Sequence, residues 1–327
     1  MRLPSFTLLR PSTIEEGSAL LSAYQQEARV VAGGTALVVD LGQRLVTPKY
    51  VISLKHVSGL DYVDYNQKGL RIGALATLDL LNTSPLIRSL YPILSQAAGE
   101  IGVPQVRNMG TIGGNFCLDT RCIYYNQSDF WRQARTPCLK RGGHICHAVK
   151  GSQECYAVCQ ADLASVLVAL EAKVKLRRRG GERVIPVSEF FTGKGEKPLA
   201  IQPDEIVNEI QLPPPAKNSA SSYQKLRVRE AIDFPLAAVA AVLAMDKDKV
   251  CRKAKLVLGA VAPAPVEASQ AEKLLQGKRI DDSLIEEAAE AVFKTAHPVA
   301  NLSIDYGYRR KMTGVLVKRA IKQALAG

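Results

Sequence analysis

The pattern of apolar and polar residues predicts short helices and strands that alternate over the first third of the chain. Ser12-Thr13-Ile14-Glu15 has the form of a capping box, which predicts the start of a helix that runs to Glu27. Apolar runs on either side of Asn66-Gln67-Lys68 predict a β-hairpin. The other predicted strands cover residues 29–32 and 50–54, and the other predicted helices cover residues 36–45, 78–81 and 85–99.

A polar stretch of poor periodicity, residues 116–160, interrupts this pattern. A loop of this length inside a domain is unusual and needs its own source of order. Regular structure then resumes. The sequence predicts a helix at 162–172, a hairpin of strands 174–179 and 184–187, and a strand at 206–212.

The pattern changes after Pro213-Pro214-Pro215, where a polar segment is typical of a linker. The predicted strands beyond it cover residues 223–229, 237–244 and 255–261, and the predicted helices cover residues 266–276, 282–296 and 305–326. Strands followed by helices are typical of an α+β unit. We therefore predict an α+β fold with two domains, residues 1–215 and residues 219–327, the first of which is interrupted by residues 116–160.

The chain has 327 residues and a formal net charge of +12. Its basic cluster alternates with apolar residues and meets Gly180-Gly181, which indicates the solvated face of a hairpin or a patch for an acidic protein partner rather than a nucleic-acid site. The cluster consists of Lys173, Lys175, Arg177, Arg178 and Arg179. No apolar run approaches the ~20 residues of a membrane span, and the first residues lack the apolar core of a signal peptide. We therefore expect a cytoplasmic protein without nucleic-acid or membrane partners.

Two glycine-rich segments are the first candidate chemistry. Gly33-Gly34 follows a predicted strand, and Gly110-Thr111-Ile112-Gly113-Gly114-Asn115 combines glycines with a hydroxyl and an amide. Glycine lets backbone N–H groups approach a phosphate closely. An ordinary strand-to-helix turn explains the first segment equally well, and it is not the G-x-G-x-x-G fingerprint. Together, the two segments predict a dinucleotide that is held from two sides.

Ala32-Gly33-Gly34-Thr35, the segment Thr111-Ile112-Gly113-Gly114-Asn115 and the later Asp162-Leu163 resemble the FAD-binding medium subunits of the molybdenum hydroxylases. That family includes xanthine dehydrogenase and carbon monoxide dehydrogenase, and the resemblance covers nearly the whole chain. It implies a two-part FAD-binding domain of the vanillyl-alcohol oxidase (PCMH) type, followed by a C-terminal antiparallel sheet with helices of the CO dehydrogenase flavoprotein type. The residues it implies for FAD are Ala32, Gly33, Gly34, Thr35, Ala36, Thr111, Gly113, Gly114, Asn115, Asp162 and Lys225. The resemblance places Lys225 near the flavin ring, and the alternative is a solvated strand residue.

Six of the seven cysteines lie between residues 117 and 159. In a cytoplasmic protein such clustering favours a metal over disulfides. None of the spacings is the C-x2-C of common zinc sites or a compact ferredoxin run, so the pattern indicates a metal without naming it. His144 and His147, on either side of Cys146, are either zinc ligands or solvated loop residues. The cysteines predicted to be structural are Cys117, Cys159 and Cys251.

The position, length and cysteine pattern of residues 116–160 resemble an insertion in the flavin subunit of the 4-hydroxybenzoyl-CoA reductases, the group that the chain resembles most closely. This resemblance implies a [4Fe–4S] cluster with the ligands Cys122, Cys138, Cys146 and Cys155. It also implies a large molybdopterin-binding subunit, a small subunit with two [2Fe–2S] clusters and a ferredoxin donor, in a dimer of heterotrimers.

The resemblance further implies a direction of electron flow. Electrons would pass from ferredoxin through [4Fe–4S], FAD and [2Fe–2S] to molybdenum, where 4-hydroxybenzoyl-CoA is dehydroxylated to benzoyl-CoA. This subunit would then carry no acid–base residue for the substrate. The alternatives are the flavin subunit of an oxidative molybdenum hydroxylase, a zinc-stabilised FAD-binding protein without a relay role, and a basic RNA-binding protein.

Overall fold

A computed structural model describes residues 2–326, which form three separate β-sheets. The first is a small parallel sheet with the strand order β1-β3-β2. Its strands are β1 (Thr7–Leu9), β2 (Ala28–Val31) and β3 (Tyr50–Ser53), connected by helices α1 (Ile14–Tyr24) and α2 (Leu37–Gly42). The predicted strands at 29–32 and 50–54 are thus confirmed to within a residue, and the helices predicted to end at Glu27 and to cover 36–45 are shorter than predicted.

Helix α1 begins one residue later than the sequence predicted. Thr13 is its N-cap, and the Thr13 hydroxyl accepts a hydrogen bond from the Glu16 N–H at 3.1 Å. The Glu16 carboxylate accepts in turn from the backbone N–H of Ser12 at 2.7 Å. The capping interaction is therefore made by Thr13 and Glu16 rather than by Ser12 and Glu15, because a Glu three residues after the cap can reach back over the helix start.

The second sheet has five antiparallel strands in the order β4-β5-β8-β6-β7. They are β4 (Val63–Asn66), β5 (Gly69–Gly73), β6 (Lys173–Arg178), β7 (Gly181–Pro186) and β8 (Ile206–Leu212). Along β6, Val174 and Leu176 are buried, and Lys173, Lys175 and Arg177 lie on the opposite face. Glu15 and Glu182 pair with two of these basic residues. The basic cluster is therefore the partly neutralised outer face of a hairpin, as predicted.

Helices between the strands of this sheet build the largest core of the molecule. The helices from residue 78 to residue 190 are α3 (Leu78–Thr83), α4 (Pro85–Leu90), α5 (Pro92–Gly99), α6 (Pro104–Met109), α7 (Ile112–Phe116), α8 (Asp129–Gln133), α9 (Asp162–Ala169) and α10 (Val187–Phe190). The single helix predicted at 85–99 is two helices, since Pro92 has no N–H with which to continue the hydrogen-bond ladder.

The third sheet is antiparallel, with the order β12-β11-β10-β9. Its strands are β9 (Ser219–Leu226), β10 (Ala237–Met245), β11 (Cys251–Gly259) and β12 (Val266–Glu267), and the helices after it are α11 (Ser269–Leu275), α12 (Asp282–Thr295) and α13 (Tyr306–Ala326). The start of the helix predicted at 266–276 is wrong, because Val266 and Glu267 pair with β11. Along β10, Val239 belongs to the core of the C-terminal helices, whereas Ala238 and Ala240 belong to the large core. This sheet therefore joins the two parts of the chain.

Residues 116–160 contain little regular structure. The helical turns in this insertion are α8 and a 3-10 turn at Leu139–Arg141. Arg121 and Val158 close its base with two backbone hydrogen bonds of 2.9 and 2.7 Å. With its three sheets and packed helices, the molecule confirms the predicted α+β class. Over residues 2–326, no helix combines the length and the apolar character that a membrane crossing requires.

Candidate functional site

The two glycine-rich segments lie directly against each other. Gly33 has no space for a side chain, since a Cβ atom there would press into the carbonyl group of Met109, with the carbonyl carbon 2.6 Å away, and would lie 3.0 Å from Gly110 Cα. Gly34 has a φ of 77°, in the left-handed region that favours glycine. The predicted residues of the first segment are therefore held at the second segment by contact of one backbone with the other.

The second segment forms a single helical turn at Ile112–Phe116. Thr111 is the N-cap of α7, and its hydroxyl accepts from the Gly114 N–H at 3.0 Å. Gly113 donates its N–H to the Ala74 carbonyl at 2.9 Å, and a Cβ on Gly113 would lie 2.8 Å from the same oxygen. Close packing on the end of β5 therefore requires glycine at position 113.

Asn115 connects this helical turn to Asp162. The Asn115 Oδ1 accepts from the Leu163 N–H at 3.2 Å, which ties α7 to the start of α9. Asp162 is 3% exposed. Its Oδ1 accepts from the Tyr223 hydroxyl at 2.9 Å and lies 2.8 Å from Lys225 Nζ. Contacts thus connect the first glycine-rich segment, through the second segment and Asp162, to β9.

Lys225 is buried, so the alternative of a solvated strand residue is wrong. Its side chain is 1% exposed, and its ammonium also donates to the Glu100 carbonyl at 3.0 Å. Burial raises the pKa of Asp162, and the neighbouring Lys225 charge opposes this rise. The two charges compensate each other inside the protein, and they fix α9 to β9.

The four predicted cluster ligands line one cavity in the insertion. Cys122, Cys138, Cys146 and Cys155 surround a space of about 20 Å³, which exceeds the ~10–15 Å³ that one water molecule requires. All four are free thiols. Burial raises the pKa of Cys122 to about 11 and also raises the pKa of Cys155. Binding of a metal cofactor would therefore have to release protons from these thiols.

The cavity offers a set of soft sulfur donors. In the part of the chain that the structure describes, no three His, Cys, Asp or Glu side chains are close enough to share one metal ion. Four sulfurs on one zinc ion lie within roughly 4 Å of each other, because each Zn–S bond measures ~2.3 Å. Four thiolates on a four-iron cluster lie farther apart, since each binds a different iron. The thiol donors themselves suit either group.

The other candidate ligands have different surroundings. Cys117 and Cys159 lie outside the cavity and pack on the large core, and burial raises their pKa values to about 12 and about 11. Cys251 is buried as the first residue of β11. His144 is exposed, whereas His147 lines the cavity and its Nε2 lies 2.9 Å from a backbone carbonyl oxygen.

Sequence reasoning missed three residues that hold the cavity together. Lys140 is buried in the cavity wall. Gly195 packs on Cys155, since a Cβ on Gly195 would lie 2.9 Å from the sulfur. Asn301 binds the backbone next to Cys122 and Cys155. Gly195 and Asn301 are distant along the chain, so no local pattern indicates them, and nothing in the sequence separates Lys140 from the other lysines.

The chain matches the models of two known domain families. Residues 4–215 match the FAD binding domain in molybdopterin dehydrogenase, and residues 221–324 match the CO dehydrogenase flavoprotein C-terminal domain. The chain is 27% identical to the nicotinate dehydrogenase FAD-subunit of Eubacterium barkeri, over 97% of this chain and 95% of that one. It is 30% identical to an aldehyde oxidoreductase FAD-binding subunit of Escherichia coli (strain K12), over 99% of this chain and 98% of that one.

A solved structure agrees with these matches. The chain superposes on a chain of the carbon monoxide dehydrogenase from Hydrogenophaga pseudoflava with a TM-score of 0.82 and 27% identity, over 100% of this chain and 99% of that one. The predicted two-part FAD-binding fold with its C-terminal sheet and helices is therefore confirmed, as is FAD as a cofactor. The chain belongs to the FAD-binding medium subunits of the molybdenum hydroxylase family, and it is an oxidoreductase subunit.

Proposed function

We propose that this chain is an electron-transfer subunit that holds FAD at the glycine-rich segments and a [4Fe–4S] cluster in the insertion. The observation that carries the proposal is the convergence of Cys122, Cys138, Cys146 and Cys155 on one cavity. These four cysteines come from distant points of a loop that has little other regular structure. The proposed domains are residues 1–215 for the flavin, with the cluster insertion at 116–160, and residues 219–327 for the C-terminal unit.

For the flavin, the proposed contacts are Ala32, Gly33, Gly34, Thr35, Ala36, Thr111, Gly113, Gly114, Asn115, Asp162 and Lys225. The absence of side chains at the glycines leaves backbone N–H groups accessible to a pyrophosphate. Asp162 and Lys225 compensate each other, so the flavin contacts proposed for them would add no net charge to the site.

The proposed role of the chain toward the cluster is to bind it and to shield it from water. Thiolates suit iron–sulfur chemistry, and four cysteines line this one cavity. When bound, the flavin and the cluster supply one- and two-electron transfer. The chain itself holds them in place and excludes water, and we assign it no acid–base residue for a substrate.

We further propose that the assembled enzyme resembles a 4-hydroxybenzoyl-CoA reductase. Its proposed partners are a large molybdopterin-binding subunit, a small subunit with two [2Fe–2S] clusters and a ferredoxin donor, in a cytoplasmic dimer of heterotrimers. The position of the cysteine insertion, between Asn115 and Asp162, supports this choice. The proposed reaction is the reductive removal of the phenolic hydroxyl of 4-hydroxybenzoyl-CoA, which gives benzoyl-CoA and water.

A second candidate is the flavin subunit of an oxidative molybdenum hydroxylase. It is favoured by the names of two relatives, a nicotinate dehydrogenase and an aldehyde oxidoreductase. Both candidates use the same flavin and cluster residues, so they differ only in the substrate and in the direction of electron flow.

One experiment separates these proposals. The complex is purified anaerobically from its native host, and its flavin, iron, sulfide, zinc and molybdenum are quantified. Electron paramagnetic resonance (EPR) of the reduced complex should show a [4Fe–4S] signal that each Cys→Ala change in the cavity abolishes and that Cys159→Ala leaves in place. Zinc at these cysteines would contradict the cluster. Turnover of an aldehyde or an N-heterocycle, without reduction of 4-hydroxybenzoyl-CoA, would favour the second candidate.

A further inference from the structure

A lysine ammonium is buried in the wall of the cysteine cavity. Lys140 lines this cavity with the four cysteines, and its side chain is 4% exposed. Its Nζ lies 2.8 Å from each of three acceptors: Asp119 Oδ1, Thr120 Oγ1 and the Gly195 carbonyl oxygen. Every N–H bond of the ammonium therefore has a partner, and the charge is fixed in position.

The ion pair of Lys140 with Asp119 is oriented relative to the cavity. Lys140 lines the cavity and Asp119 does not. The Asp119 side chain is 49% exposed, so water screens its negative charge, while the ammonium is shielded from water. Of the two charges in this pair, the one shielded from water therefore belongs to the residue that lines the cavity.

We propose that Lys140 tunes the reduction potential of the iron–sulfur cluster held by Cys122, Cys138, Cys146 and Cys155. The inference rests on the proposed function of the insertion. Reduction adds one electron, and thus one negative charge, to the cluster and its thiolates. A fixed positive charge beside them stabilises the reduced state and raises the potential, as charge and hydrogen bonding do in such sites generally.

Lys140 also helps to position Cys155, through Gly195. Gly195 accepts a hydrogen bond from Lys140 through its carbonyl oxygen. The N–H of Gly195 in turn donates to the Cys155 carbonyl at 3.1 Å. A substitution at Lys140 can therefore loosen Cys155 as well as remove a charge. The test must separate these two effects, and Asp119 makes this possible because its removal leaves the ammonium in place.

The test is an EPR-monitored redox titration of the anaerobic complex, with dithionite as the reductant. Lys140→Met should shift the cluster midpoint potential to more negative values, because the positive charge is lost. Asp119→Asn should shift it to more positive values, because the remaining ammonium is no longer compensated. Lys194→Gln is the matched control: this lysine is exposed next to Gly195 and should leave the potential unchanged.

Each outcome of the titration either supports or overturns the role of Lys140. Midpoint potentials that shift in opposite directions in Lys140→Met and Asp119→Asn support the inference. A purely structural role of Lys140 would lower the iron and sulfide content without these opposite shifts. If Lys140→Met loses the cluster, a positive shift of the midpoint potential in Asp119→Asn still supports the inference. An unshifted or more negative midpoint potential for Asp119→Asn, with iron and sulfide content intact, would overturn the inference but not the proposed function. Zinc in the wild-type complex would overturn the proposed function and the inference with it.

Discussion

Replacement of Gly33 with alanine tests the contact between the two glycine-rich segments. The added Cβ would lie 2.6 Å from the Met109 carbonyl carbon, whereas ordinary carbon–carbon contacts are about 3.5 Å long. One of the two backbones must therefore move by roughly 1 Å. No flexible side chain can absorb this displacement, because the atoms on both sides belong to the main chain.

The magnitude follows from the cost of overpacking. Such substitutions destabilise a protein by about 1–3 kcal/mol, and two opposed backbones place this one near 3 kcal/mol. At 2–4 °C per kcal/mol for a domain of this size, Tm should fall by about 6–12 °C. The displacement also separates the segments proposed to hold the pyrophosphate, so we expect the variant to lose most of its FAD.

The assay measures the flavin released on denaturation per mole of chain, together with Tm. Gly181→Ala is the control, because Gly181 has no atom within 4 Å of its Cβ position and no positive φ. A Gly33→Ala variant that keeps both the flavin content and the Tm of the control would show that the contact between the segments does not hold the site.

Three further outcomes are expected. Lys225→Met leaves the buried Asp162 carboxylate without its partner and should lower stability by about 3–5 kcal/mol, measured by urea denaturation, and a second change, Asp162→Asn, should restore part of the loss. Because their pKa values are raised to about 12 and about 11, Cys117 and Cys159 should be protonated at pH 8 and should react with iodoacetamide only above pH 10 or after unfolding, as read by peptide mass spectrometry. Asn301→Ala removes the side-chain hydrogen bond to the Tyr156 carbonyl of the insertion and should cost about 1–3 kcal/mol and speed cluster loss in air, seen as faster bleaching near 400 nm, whereas the exposed control Gln270→Ala should not.

Local patterns predicted most strands and helices of this molecule because each is short and ends at Gly, Pro or a polar turn. The strand at Ile206–Leu212 was predicted to the residue, since its apolar run is bounded on both sides. The helix at 85–99 was predicted as one element because periodicity continues across Pro92, which breaks the helix. At Val266, pairing with β11 overrides an otherwise helical pattern.

The candidate site shows a similar division between local and distant signals. Gly33, Gly113 and Asn115 stand in dense glycine segments, so the sequence indicates them directly. The sequence does not determine the burial of Lys225, since the strand pattern around Tyr223 allows either face, and only the pairing of β9 with the rest of the fold places the lysine on Asp162. Lys140 has no local signal at all, because its acceptors are Asp119 and Thr120, near the start of the insertion, and the distant Gly195.

The structure also explains how a flavin domain accommodates so long an insertion. The two ends of residues 116–160 are tied together where Asn115 accepts from Leu163, and again where Arg121 pairs with Val158. The cost of closing a loop grows only slowly with its length, so a base fixed in this way makes the insertion tolerable. Its interior lacks a large apolar core, and its order therefore depends on polar ties such as Lys140 and on the four convergent cysteines. A cofactor bound there would stabilise the insertion itself, while the flavin side draws its rigidity from the large core.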